Sequence, residues 1–198
     1  MSNYNFLNQN ENLINYYFYQ NGITDEEIDK ITELSKKYNT TDGNVSGDVD
    51  LTYRKSKITW LHNNTETQFL YDKLAGLAKD ANNKMWKFNI TNLFDSIQFT
   101  EYSYDSESNQ QSHYDWHMDF GSKGLTTTRK LSCSIQLSDS DEYEGCDLEF
   151  MLHRNIAQAP RKKGTVIFFP SYLTHRVSPI TKGTRKSLVI WFHGPSFT

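Results

Sequence analysis

This chain has few means of cross-linking itself, no apolar run long enough for a membrane-spanning helix, and no excess of positive charge. Its two cysteines are Cys133, in a strand-like run, and Cys146, beside a turn. Two such thiols do not make a disulfide framework, and the expectation is that both are reduced. No apolar run approaches the ~18 residues that a membrane span requires. The opening Met1-Ser2-Asn3-Tyr4-Asn5 lacks the basic-then-apolar build of a signal peptide. A formal net charge of −3 gives no general attraction for nucleic acid. These absences together lead to the expectation of a cytoplasmic protein with neither nucleic-acid nor membrane partners, and they are silent on oligomeric state.

What is present suffices for a folded core. A chain of 198 residues is most simply one domain, 1–198, and aromatic residues at 14% supply large surfaces for burial. Residues 1–94 read as a helical support region. Thr24 followed by Asp25-Glu26-Glu27 is a capping box, and Ile28, Ile31, Leu34 and Tyr38 recur behind it at helical spacing. Residues 40–47 are turn chemistry that stops the run. A second helix is predicted from Thr65, with Gln68 at its third position and Leu70, Leu74, Leu77, Ala78 and Ala81 on one face. Residues 13–19 and 54–61 read as strands.

Residues 95–198 read differently. Short alternating runs at 97–102, 131–137, 147–152, 165–169 and 186–192 are separated by Gly, Pro, Asp or Ser turns. The expected fold class is α+β, mainly β: a sandwich or jelly roll with the N-terminal helices packed on one sheet. Two polar loops, 103–112 and 121–129, flank the segment of greatest chemical interest and are expected either to act at a site or simply to be solvated.

That segment is Tyr114-Asp115-Trp116-His117-Met118-Asp119. On a strand, residues i and i+2 point the same way, so a His-x-Asp pair can reach one point in space. With a distant second histidine it offers an ion two imidazoles and one carboxylate, the donor set of non-haem Fe(II) oxygenases. His113 and Asp115 form an overlapping pair, and alternation would put 113, 115, 117 and 119 on one face, so spacing leaves two candidate pairs. Downstream, His175 follows the apolar strand that ends at Pro170, and Arg185 lies ten residues beyond it. Arg185 shares a strand face with Ser187, Val189 and Trp191. It must therefore lie in water at a rim or meet an anion inside, because an isolated buried charge is too costly. His62, His153 and His193 fall outside this pattern and read as surface or structurally satisfied histidines. Arg161-Lys162-Lys163 reads as a solvated hairpin tip, 16–19 as core, and Trp60, Trp86 and Trp116 as packing.

The combination of Tyr-Asp-Trp-His-Met-Asp with Arg129-Lys130-Leu131-Ser132, Gln136-Leu137-Ser138, Tyr143-Glu144-Gly145, Asp147-Leu148-Glu149-Phe150 and Phe169-Pro170-Ser171 to His175-Arg176-Val177 resembles the Fe(II)/2-oxoglutarate dioxygenases of the prolyl 4-hydroxylase superfamily. It is similar in particular to the bacterial and phage members described as prolyl hydroxylase-like or PKHD-type. The likeness runs from Asp95 to Phe192, with a weaker echo from Arg54-Lys55-Ser56 to Trp60-Leu61. It implies a double-stranded β-helix and selects one pair from the doublet. His117, Asp119 and His175 would be the metal ligands. Arg185 would hold the distal carboxylate of 2-oxoglutarate, helped by Ser187 and by Tyr102, with Tyr104 as competitor for the tyrosine's place. Fe(II), 2-oxoglutarate and O2 are the implied cofactor and cosubstrates, with ascorbate a candidate accessory.

Two departures stand out. Animal and plant prolyl 4-hydroxylases usually have Lys where Arg185 stands, and the family's usual Gly-Gly is here Gly145-Cys146. The implied activity is hydroxylation of a prolyl or other side chain in a protein or peptide, with succinate and CO2 as coproducts. Hydroxylation of a free amino acid or small metabolite is the alternative within enzymes, and a non-catalytic jelly-roll binding module the alternative outside them.

Overall fold

The computed structural model describes residues 15–43, 50–93, 95–152 and 155–196. In chain order the elements are β1 (Tyr17–Tyr19), α1 (Asp25–Ser35), β2 (Thr40–Asp42), β3 (Arg54–Lys55), β4 (Lys57–Leu61), α2 (Gln68–Met85), β5 (Ile97–Asp105), β6 (Gln110–Gln111), β7 (His113–His117), a 3-10 turn (Gly124–Thr128), β8 (Arg129–Gln136), β9 (Tyr143–Gly145), β10 (Leu148–Leu152), β11 (Asn155–Gln158), β12 (Val166–Pro170), β13 (His175–Val177) and β14 (Ile180–His193). The strands pair antiparallel into two sheets. The larger runs β1-β12-β8-β14-β5-β4-β2, with β6 on β5 and β9 on β14; the smaller runs β11-β10-β13-β7-β3. This is the expected jelly roll, and solved structures described below share it.

Alternation along β8 and β14 makes the larger sheet two-faced. Leu131, Cys133, Ile135, Leu188, Ile190 and Phe192 join Ile28, Ile31, Leu70, Leu74, Ala78 and Ala81 of the helices in the main core. Ile31 and Leu74 are fully buried, each side chain contributing roughly 1.5–3 kcal/mol on removal from water. The alternate residues Ser134, Arg185, Ser187, Val189 and Trp191 face the space between the sheets. A second apolar cluster, Leu148, Phe150, Ala159, Ile167 and Phe169, contributes Leu148 and Phe169 to the lining of that space.

Several expectations are corrected. Within residues 1–94, β1, β3 and β4 fall in the stretches expected as strands, but the stretch 54–61 divides: β4 joins β1 and β2 in the larger sheet and β3 joins the smaller. Thr40–Asp42 is a strand rather than turn, since it finds β4 as a partner. The first helix is capped as expected, with reciprocal bonds between Thr24 and Glu27. The second starts later than predicted: its N-cap is Thr67, whose hydroxyl is spent on the His62 carbonyl while Asn64 Oδ1 accepts the amides of Glu66 and Thr67. The expected strand at 13–19 is limited to Tyr17–Tyr19, its residues 13–14 lying outside the described residues. The loop expected at 103–112 is largely a hairpin, as β5 runs on to Asp105 and β6 pairs with it. The 121–129 stretch carries the 3-10 turn. Arg161 is not at a solvated tip: it pairs with Asp147 at 2.8 Å, donates to the Tyr143 carbonyl, and stacks on the Tyr143 ring.

The C-terminus of α2 is tied by buried Asn82, whose side chain accepts from the Phe88 amide and donates to the Phe88 carbonyl. The chain turns there through exposed Lys87, whose φ of 58° lies in the left-handed region. A Cβ disfavours that conformation by roughly 1–2 kcal/mol, whereas glycine adopts it freely. Lys87→Gly is expected to stabilise the protein by about 0.5–1 kcal/mol once glycine's larger unfolded-state entropy is offset. Chemical denaturation should show a higher midpoint with an unchanged slope.

Candidate metal centre and anion pocket

The smaller sheet delivers the ligand candidates. β13 pairs with β7 so that His175 stands opposite His117 and Val177 opposite Tyr114. Two residues of β7, Asp115 and Trp116, thus oppose the single Arg176 of β13, a bulge that breaks strict alternation and turns the strand. The tertiary structure thereby separates the overlapping pairs. His113 Nε2 meets the Thr52 carbonyl at 3.0 Å, and Asp115 is exposed and accepts from the Trp116 amide. Neither lines the cavity between the sheets, so the expectation that 113 and 115 share the face of 117 and 119 is corrected. Tyr114 takes that place, stacked on His117 with centroids 3.6 Å apart.

His117, Asp119 and His175 have ligand atoms all within 4.8 Å of one another. His117 Nε2 is 3.8 Å from Asp119 Oδ1, and His175 Nε2 is 3.6 Å from Asp119 Oδ2. Each imidazole meets a carbonyl through Nδ1, His117 with Asp115 at 2.7 Å and His175 with Leu173 at 2.8 Å. A carbonyl only accepts, so Nδ1 carries the proton and the Nε2 lone pairs are free to converge beside the carboxylate. Burial, reinforced by the neighbouring His175, pushes the pKa of His117 down to about 3 and keeps the ring neutral. Burial alone would raise the pKa of Asp119, but His175, His117, Arg129 and a hydrogen bond from Ser132 hold it below the usual carboxylate value. That bond runs from Ser132 Oγ to Oδ2 at 2.7 Å, and Ser132 Oγ lies 2.9 Å from Ser171 Oγ. Two neutral nitrogens and one oriented carboxylate, without a thiolate, fit a divalent iron.

The same cavity, about 1060 Å³, reaches Arg185, Tyr102 and Ser187 on the larger sheet. Arg185 is 1% exposed, which excludes the solvated-rim reading. Its Nε and Nη2 donate to Gln136 Oε1 at 3.1 and 2.8 Å, while Nη1 is buried without a hydrogen-bond partner. Tyr102 is its cross-strand neighbour, with the guanidinium 5.7 Å from the ring centroid. Tyr104 instead donates to Asn109 and does not line the cavity. A buried cation with an unmet donor is suited to an incoming carboxylate.

Other cavity residues had no assigned role in the sequence reading. Arg54 lies over the Tyr114 ring and Arg129 over the Trp191 ring, both arginines facing the cavity. Arg54 and Ser132 stand in segments already singled out for their resemblance, but nothing local shows that they reach the centre. Trp60 and Trp191 also line the space. His193 is structural as expected, buried between Asp95 at 2.9 Å and Thr128. His62 is exposed beside Ser96, and His153 lies outside the described residues. Among the described residues, no helix is long and apolar enough to cross a membrane.

Ser132→Ala would remove a donor to a buried carboxylate. It is expected to destabilise the metal-free protein by about 1–3 kcal/mol and to weaken divalent-metal affinity roughly 10- to 100-fold. Denaturant melts and metal titration check both. His117 supplies a pH dependence. Its ordinary pKa is 6.5 and its folded value about 3, so between these the unfolded chain takes up a proton that the folded chain refuses. Metal-free protein should therefore lose stability as pH falls from about 6.5 towards 3, and His117→Gln should flatten that part of a profile of melting temperature against pH.

Known proteins share this architecture and its sequence. A 25% identical PKHD-type hydroxylase of Aliarcobacter butzleri aligns over 170 residues, 85% of this chain and 74% of that protein. Another, from Synechococcus sp. (strain CC9902), is 38% identical over 80 residues, 39% of this chain and 35% of its own length. This chain thus spans about a third of the Synechococcus relative. A Pseudomonas putida prolyl-4-hydroxylase superposes with TM-score 0.72 at 17% identity, covering 91% of this chain and 93% of that one. A Trichoplax adhaerens prolyl hydroxylase, solved with a hypoxia inducible factor peptide fragment, gives 0.73 at 15% identity, covering 90% and 83%. At such identities the superpositions establish the fold. The sequence model of one family matches residues 97–193, the stretch that holds the His-Asp-His cluster and Arg185. The chain belongs to the 2OG-Fe(II) oxygenase superfamily.

Proposed function

We propose that this protein is an Fe(II)- and 2-oxoglutarate-dependent dioxygenase that hydroxylates a C–H bond, with a prolyl or other side chain of a protein or peptide as substrate and succinate and CO2 as coproducts. One observation carries the reading: a His-Asp-His cluster and a buried arginine with an unmet donor open into the same cavity. In this reading His117, Asp119 and His175 hold Fe(II), and Arg185, with Tyr102 and Ser187, holds the far carboxylate of 2-oxoglutarate. Residues 1–198 act as one unit, since the helices and the larger sheet share a core.

When bound, Fe(II) and 2-oxoglutarate supply the oxidative activation of O2 that a C–H bond requires. The residues of the chain bind, orient and shield. The Asp115 and Leu173 carbonyls hold the Nδ1 protons and so keep both Nε2 atoms available. Ser132 steadies the carboxylate. Tyr114 covers one face of His117 and keeps water from it. The cavity supports a peptide over a free amino acid, because its volume of about 1060 Å³ exceeds the ~300–1,000 Å³ usual for small-molecule sites. The peptide bound by the Trichoplax relative is consistent with that preference.

The test is succinate release with Fe(II) and 2-oxoglutarate, screened over proline-rich peptides and free amino acids. Turnover on peptides is expected, and turnover on free amino acids alone would transfer the assignment to small molecules. His175→Ala or Asp119→Ala should abolish it. A bidentate Arg–carboxylate pair is worth about 1.5–3 kcal/mol, so Arg185→Ala should weaken 2-oxoglutarate binding about 10- to 100-fold. An unchanged affinity would remove Arg185 from the site.

A further inference from the structure

We propose that Gln136 is a positioning residue that aims Arg185 at the cosubstrate while leaving its charge uncancelled, and thereby sets a preference for 2-oxo dicarboxylates over 2-oxo monocarboxylates. The inference rests on the reading of Arg185 given above and deepens it. Gln136 is the last residue of β8, 2% exposed, and stands opposite Ser187 in the β8–β14 register. Its amide has one workable orientation. Nε2 donates to the Pro160 carbonyl at 3.0 Å, and Oε1 accepts both Nε and Nη2 of Arg185. A flipped amide would set its NH2 against the guanidinium and its oxygen against a carbonyl, leaving both unpaired. Pro160 thus fixes Gln136, and Gln136 fixes one edge of the guanidinium. The remaining nitrogen, Nη1, is the one without a partner.

The chemistry of the acceptor matters as much as its place. An amide oxygen orients a guanidinium without neutralising it, whereas a carboxylate there would close a bidentate ion pair. The titratable groups bearing on Arg185 are Cys146, Tyr143 and Tyr102, a thiol and two phenols. Burial pushes the Cys146 thiol up to about 11 and raises the Tyr102 phenol, so these two remain neutral near pH 7. The positive charge therefore stays available to a ligand's far carboxylate. A 2-oxo acid that ends in a methyl group leaves Nη1 unmet and gains nothing from it.

The experiment is calorimetric titration of oxygen-free, Mn(II)-loaded protein with 2-oxoglutarate and with 2-oxobutyrate, which lacks the second carboxylate. Gln136→Glu, close in size, should weaken 2-oxoglutarate about 10- to 100-fold while the affinities for Mn(II) and 2-oxobutyrate stay within about twofold. A merely structural role would not split the two acids in this way. Wild-type affinity for 2-oxoglutarate in Gln136→Glu, with Arg185→Ala impaired, overturns the role of Gln136 and leaves Arg185 in place. Wild-type affinity in both variants overturns the reading of Arg185, and this proposal with it. Should Gln136→Glu fail to bind Mn(II), Gln136→Met provides the comparison: about tenfold weaker 2-oxoglutarate is expected, and an unchanged value overturns the proposal.

Discussion

The pairing of β13 with β7 is the constraint on which the site depends. It sets His175 opposite His117, and its bulge lets Tyr114 rather than Asp115 stack against the His117 ring. Without that register the two imidazoles would belong to unrelated parts of the chain. With it, the single carboxylate of Asp119 lies within 4 Å of both Nε2 atoms. The flanking strands follow, because β3 joins β7 and β10 joins β13 to complete the smaller sheet.

A cavity lined by charge is expensive to build, and the structure offsets the cost group by group. Asp119 has Ser132, and behind it Ser171, both fully buried. Each histidine has a carbonyl for Nδ1. Arg185 has the Gln136 oxygen for Nε and Nη2, while its Nη1 is buried without a partner. Burying polar groups in this manner is tolerable only when nearly all are satisfied, and the unmet donors on the cavity, Arg185 Nη1 together with Arg129 Nε and Trp191 Nε1, are then informative about a ligand. The apolar work is done elsewhere, on the opposite face of the larger sheet, where the two helices pack. This division lets the inner face be polar without loss of a core.

Residue spacing carried a good deal of this. The capping box at Thr24 formed as written. The alternation of β14 placed Arg185, Ser187, Val189 and Trp191 towards the cavity and Leu188, Ile190 and Phe192 towards the helices. Both depend on contacts within a few residues, which is why they were legible. The second helix starts later than Thr65 because Asn64 accepts the amides of Glu66 and Thr67, and a side chain's partner cannot be deduced from its position alone. Arg161 is not legible as buried against partners because Asp147 and the Tyr143 carbonyl lie 14 and 18 residues earlier in the chain.

The sequence alone determined which residues of β14 share a face, where the first helix begins, and that two histidines, a carboxylate and an arginine were available in a recognisable pattern. Tertiary structure decided the rest. It showed that His113 and Asp115 stand apart from the cluster, that Tyr102 rather than Tyr104 neighbours Arg185, and that Gln136 holds the guanidinium. The physical reason is one of range. Side-chain alternation is a property of a single strand, but a bulge, a register and a buried hydrogen bond exist only between strands that the folded chain has brought together.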